Sequence, residues 1–185
     1  RGFTAFTQGM TEQGNVKQLV DRLNTYLSEV VDAVHSEEGT VDKFIGDAVL
    51  AVFGAPLQKT SSTNVLAAVK TAIALQQRLA ILNRAWIAAG QSPWDQVVVL
   101  SYGWGVSGNI GSARRMDYTV IGDAVNTASR LEAIAKQCGQ AIVMSAAVAE
   151  HLAGDWPLQD LGTFPIRGQG DQRVFALKTD TKEHT

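Results

Sequence analysis

Two short runs rich in β-branched and apolar residues, Thr40 to Phe44 and Ala48 to Phe53, flank a Gly46-Asp47 dipeptide. A tight Gly-Asp turn between strand-forming runs predicts a β-hairpin, and Gly54 and Pro56 end its second strand. Long helical patterns bracket the hairpin. Upstream, between Asn15 and His35, Leu19, Leu23, Leu27, Val30 and Val34 recur at spacings of three and four, the period of one helix face. Downstream, a Ser/Thr/Asn stretch from Thr60 to Asn64 caps an Ala-rich periodic segment from Val65 to about Ala89.

The rest of the chain alternates in the same way. Val97 to Ser101 and Val106 to Ile110 read as strands interrupted by Gly103 and Gly105, followed by a basic loop at Arg114 and Arg115 and a strand from Asp117 to Ile121. Asp123 is the expected cap of a helix that Gly139 ends. Ala141 to Met144 is a strand, Ser145 caps a short helix to about Leu152, and Leu158 to Leu177 holds strand pieces separated by Gly162, Gly168 and Gly170. The order predicts an α+β sandwich, with helices packed on a mainly antiparallel sheet.

At 185 residues the chain suits one domain with a real core. Its 16 Lys and Arg against 18 Asp and Glu give no positive field for nucleic acid or an anionic membrane surface, so any phosphate binding must be local. The one cysteine, Cys138, has no intrachain disulfide partner and fits a reducing compartment, as a helix residue rather than a nucleophile. No apolar run is expected to reach the ~18 residues needed to span a bilayer. The abrupt opening on Arg1-Gly2-Phe3-Thr4 reads as a fragment of a longer protein.

Two segments carry candidate chemistry. Asp47 at the hairpin tip can offer oxygen to a hard divalent cation, although alone it reads first as an ordinary turn residue. Asn126 and Arg130 are four apart and share a helix face, where an amide and a guanidinium can hold charge developing on a phosphoryl group; alone, that face reads first as a solvated one.

Together the segments decide more. KFIGDAVLAVFG, followed about seventy residues later by DYTVIGDAVNTASRLE, closely resembles the catalytic domain of class III adenylate and guanylate cyclases, with supporting matches in RGFT, GNIGS and LGTFPIRGQGDQRVFAL. The resemblance covers nearly the whole chain. It implies a ferredoxin-like βαββαβ core and head-to-tail dimers with sites at the interface. In such sites one subunit supplies metal ligands and the other the transition-state residues.

Carried over position by position, Asp47 matches one of two metal-binding aspartates, for two divalent cations, Mg²⁺ or Mn²⁺. Asn126 matches the residue that positions the ribose, and Arg130 the one that stabilises the α-phosphoryl transition state. Gly2, Phe3 and Thr4 match the loop that receives the terminal phosphates, and Arg173 the position of a phosphate-binding Lys or Arg. Lys43 matches the adenine-specifying lysine and Thr119 the acceptor for the adenine 6-amino group, a Lys/Thr pairing found in cyanobacterial and other bacterial adenylate cyclases. Some of these respond to bicarbonate, which is an expectation here on Thr119 alone.

The resemblance therefore implies an adenylate cyclase that converts ATP to cyclic AMP and pyrophosphate. It implies a homodimer with two equivalent sites, cytoplasmic, with upstream sensor domains in the parent protein. The family's other metal-binding aspartate falls two residues before Arg1, on a central strand that this sequence does not include. Three rival readings remain: a guanylate cyclase, against which Lys43 argues; a catalytically silent nucleotide-binding regulatory module; and an unrelated ferredoxin-like binding domain.

Overall fold

The computed structural model describes residues 3–12, 14–56, 59–152, 156–166 and 168–178. In chain order the elements are α1 (Phe3–Glu12), α2 (Val16–Ser36), β1 (Thr40–Ile45), β2 (Ala48–Val52), α3 (Ser61–Ala88), β3 (Val98–Leu100), β4 (Val106–Ser112), β5 (Arg115–Ile121), α4 (Asp123–Gln137), β6 (Ile142–Ser145), α5 (Ala146–His151), β7 (Leu158–Ile166) and β8 (Gly170–Leu177).

A four-stranded sheet in the order β3-β6-β8-β7 forms the centre. The β3–β6 pair is parallel and the other two pairs are antiparallel. Ile142, Val143 and Met144 of β6 are all fully buried, because helices cover both faces of the strand. Alternation along the strand divides them. Ile142 and Met144 join Val65, Val69 and Ala72 of α3, while Val143 joins Leu131, Ile134 and Ala135 of α4.

The expected antiparallel character holds, but as three sheets: β1–β2 and β4–β5 are separate two-stranded hairpins, and no ladder joins either to the central sheet among the described residues. The β1–β2 hairpin turns through Gly46 at a φ of 65°, in the first central position that a II′ turn reserves for glycine.

Three local expectations are corrected. Asp123 is the first residue of α4, and Gly122 stands at its N-cap. A Cβ at Gly122 would lie 2.6 Å from the Trp104 carbonyl oxygen, so a close backbone approach fixes this position where a capping side chain was expected. Ser145 takes the N-cap position of α5, but its side chain makes no capping bond. Finally, α3 is long and apolar enough, by length and composition, to cross a membrane, because Ala-rich turns carry few charges. In this fold it is a core helix, lying against α2, β3 and α5 with Val65, Val69, Ala72, Leu79 and Trp86 buried. Thr60 caps it as expected, accepting from the Thr63 backbone N–H at 3.3 Å.

Candidate functional site

Lys43 on β1 and Thr119 on β5 meet at a third side chain. The Thr119 hydroxyl donates to Asp42 Oδ2 at 2.8 Å, and Lys43 Nζ lies 3.5 Å from the same oxygen. Thr119 is buried, the Asp42 carboxylate is only 4% exposed, and the Lys43 side chain remains 41% exposed. Neighbouring strand residues normally point to opposite faces. Here the β1–β2 register slips between Val41 and Lys43, and a bulge of this kind re-aims a side chain. That is how Lys43 and Thr119 come to share one carboxylate oxygen of Asp42. Asp42 stands in the first strand run read from the sequence but was given no role there; its place directly before Lys43 was the available signal.

Asn126 and Arg130 project from α4 beside the buried stripe of Thr127, Leu131, Ile134 and Ala135. Asn126 is exposed and Arg130 half-buried, and neither side chain has a partner among the described residues. An amide and a guanidinium one turn apart, held by a buried face and free of internal pairing, are positioned to bind an oxyanion.

Asp47 is exposed at the tip of the β1–β2 hairpin, without a hydrogen bond or ion pair among the described residues. Its charge reaches Tyr26 of α2, whose phenol is pushed up to about 12, chiefly by burial and secondarily by Asp47. A single free carboxylate is the kind of donor Mg²⁺ takes together with substrate phosphates. No group of three or more His, Cys, Asp or Glu forms a self-contained metal centre among the described residues. Asp47 therefore fits a cation shared with a nucleotide.

Helix α1 begins at Phe3; Gly2 and the Thr4 side chain lie outside the described residues. The Phe3 and Phe6 rings meet Trp94 edge to face at 5.8 and 5.5 Å, and Tyr26 meets the same ring at 5.8 Å. Arg22 of α2, 5% exposed, lays its guanidinium over Trp86, Trp94 and Phe6 at 4.2, 4.7 and 5.0 Å and donates to the Ser92 carbonyl at 2.8 Å. Tyr26 closes the cluster by donating to Gln96 Oε1 at 2.9 Å. Apart from Phe3, sequence reading gave none of these residues a part. Their contacts span three elements and leave no periodic trace.

Arg173 lies apart from this group. Its Nε donates to Asp160 Oδ2 at 2.9 Å across the β7–β8 ladder, and its guanidinium stands over Phe175. The Arg173 hydrogen bond, followed by the Gly162 N–H, holds the Asp160 carboxyl below the usual range. Trp104, 95% exposed, stands close in sequence to the exposed ladder pair Val106 and Ile121, Met116 is exposed toward the other end of the same hairpin, and Phe44 and Ile45 are also exposed on β1.

Comparison with known proteins gives this geometry a family. The profile described as the adenylate and guanylate cyclase catalytic domain matches residues 1–179. Adenylate cyclase 1 of Rhizobium meliloti is 30% identical over 90% of this chain and 24% of its own length, and the adenylate cyclase of Anabaena cylindrica is 33% identical over 83% and 29%. The chain thus spans about a quarter of the length of these curated relatives. Among solved structures, the adenylyl cyclase CyaB from P. aeruginosa superposes with a TM-score of 0.85 at 29% identity, covering 100% of this chain and 92% of that one. The guanylyl cyclase Cya2 superposes at 0.75 and 30% identity, covering 98% and 90%. Catalytic domains of this family bind a nucleotide, dimerise and use divalent cations. With its profile match running almost from end to end, the chain belongs to the adenylate and guanylate cyclase catalytic domain family.

Proposed function

We propose that this domain is an adenylate cyclase, converting ATP to 3′,5′-cyclic AMP and pyrophosphate at the interface of a homodimer. Resemblance alone leaves the base open, since an adenylyl and a guanylyl cyclase are both similar in structure. The observation that carries the reading is the convergence of Lys43 and Thr119 on Asp42. It sets an ammonium donor beside a hydroxyl acceptor, matching the N1 acceptor and 6-amino donor of adenine.

In this reading the terminal phosphates lie at the start of α1, where Phe3 and Thr4 present backbone N–H groups, with Gly2 assigned to the same loop by resemblance. Asn126 orients the ribose, and Arg130 forms charge-assisted hydrogen bonds to the α-phosphoryl oxygens as charge builds on them. Asp47 would hold the divalent cations, Mg²⁺ or Mn²⁺, two of which would supply acidification of the ribose 3′-hydroxyl and neutralisation of the leaving pyrophosphate. Asp47 of one protomer serves the Asn126 and Arg130 of the other, and the exposed apolar side chains of Trp104, Val106 and Ile121 support association. Arg173 keeps a supporting place at the phosphates only by leaving Asp160. The reading places the domain in the cytoplasm and accommodates sensor domains elsewhere in the protein.

The test is to incubate the purified protein with ATP and, separately, GTP in Mg²⁺ or Mn²⁺ and to measure cyclic nucleotide, repeating with Asp47→Ala. Cyclic AMP lost in the variant supports the proposal. Preferential cyclic GMP indicates a guanylate cyclase, and a dimer that binds ATP without product indicates a regulatory module.

A further inference from the structure

We infer that Asp42 is the residue that sets the choice of base, by fixing the direction of one hydrogen. The inference rests on the assignment of Lys43 and Thr119 as the base contacts and extends it to a residue that touches neither substrate nor metal.

A threonine hydroxyl has one hydrogen to give and two lone pairs to receive with, and a free rotor serves a donor or an acceptor equally well. Thr119 has no such freedom. Its hydrogen is given to Asp42 Oδ2 at 2.8 Å, and a carboxylate only accepts. What the Thr119 oxygen has left for a ligand is lone pairs. The adenine 6-amino group donates into them, whereas the guanine 6-oxo group meets them acceptor to acceptor.

The same carboxylate oxygen also holds Lys43 Nζ at 3.5 Å. An ammonium has three hydrogens, so those not directed at Asp42 remain for the unprotonated N1 of adenine. Guanine carries N1–H there and again meets its own kind. One carboxylate therefore presents an acceptor and a donor in the order that adenine requires and guanine opposes.

Two further observations support a dedicated role. The β1–β2 register slips at Asp42, which turns its side chain to the Lys43 side of the strand. The carboxylate is also 4% exposed, so water does not compete for the Thr119 hydrogen.

Leucine at this position keeps roughly the size of the side chain and removes the acceptor. With no carboxylate oxygen to receive it, the Thr119 hydrogen is released and the hydroxyl can turn toward the base. For Asp42→Leu, the ratio of kcat/KM for ATP to that for GTP is expected to fall by about tenfold or more, because a hydroxyl free to rotate can donate to the guanine 6-oxo group. Thr119→Ser should keep the wild-type ratio and Thr119→Val should lose it. Adding Asp42→Leu to Thr119→Val should change the ratio by no more than about threefold, the non-additivity of two residues acting through one bond.

If Asp42→Leu leaves the ratio within about twofold of wild type while Lys43→Glu and Thr119→Val shift it, the inference is overturned and the base-site assignment stands. If Lys43→Glu and Thr119→Val also leave it unchanged, both fall. A measurement on the unaltered protein keeps the inference testable if the variants do not fold. Purine riboside 5′-triphosphate, which lacks the 6-amino group, should compete at least about tenfold less well than ATP, and equal competition overturns the orientation of the hydroxyl.

Discussion

The indole of Trp94 lies 4.7 Å from the guanidinium carbon of Arg22, and the same indole meets the Phe3 and Phe6 rings of α1. The first helix is thus moored to the second both directly, by Arg22 over Phe6, and through a tryptophan contributed by the segment that leads into β3. Trp94→Ala is expected to cost about 3 kcal/mol in denaturant unfolding, in the range for loss of a packed aromatic, and to raise KM for the nucleotide as α1 loosens. Trp94→Phe should recover most of both.

Among the described residues Arg130 has no internal partner to lose. Arg130→Ala is therefore expected to leave the unfolding midpoint within about 0.5 kcal/mol of wild type while lowering kcat by about 100-fold or more, the effect of removing one transition-state donor. Steady-state kinetics beside thermal melts separates the two. A matching fall in stability would make Arg130 a structural residue.

A shared site has an arithmetic signature. Asp47→Ala and Arg130→Ala homodimers should each be nearly inactive, yet after subunit exchange half the dimers carry both defects in one site and none in the other. Activity of the equimolar mixture should return to about a quarter of wild type. Sites built within single protomers would give no recovery.

Tyr26 gives stability a dependence on alkaline pH. Its pKa is raised from 10.0 to about 12, by burial first and by Asp47 second. A pKa raised by folding means that stability is fully present below the unfolded value and is lost as pH climbs from about 10 through about 12, by an amount on the order of 2 kcal/mol. Chemical denaturation at pH 9, 10 and 11 should show this decline in the wild type, and Tyr26→Phe should flatten it.

Gly122 is held by its neighbours. A Cβ there would meet the Trp104 carbonyl oxygen at 2.6 Å and Gly105 Cα at 2.9 Å. Gly122→Ala should destabilise by about 2 kcal/mol and lower turnover further than the stability loss explains, because the displaced backbone begins the helix that carries Asn126 and Arg130. Comparing melting temperature with kcat tests this.

What could be read from the sequence follows what each feature leaves in it. Periodic faces produced α2 and α3, start and stop signals at Asp123 and Gly139 produced α4, and the Gly46-Asp47 turn produced the first hairpin, because these depend on features along one segment. The resemblance supplied roles for Lys43, Asp47, Thr119, Asn126 and Arg130. Asp42 escaped because its meaning comes from a slipped ladder and a residue 77 positions away. The Arg22 and Trp94 cluster escaped for the same reason, being assembled from α1, α2, α3 and a loop. At Gly122 a side-chain cap was expected at Asp123, but the deciding contact was between backbones.

Lys43 and Asp47 stand four residues apart on a hairpin closed by a two-residue turn, so one cannot be displaced without carrying the other. In the proposed dimer they belong to different catalytic centres, Lys43 gripping the base in one and Asp47 facing the phosphates in the other. The hairpin then works as a lever shared by two nucleotides, and cooperativity between the centres needs no messenger beyond its backbone.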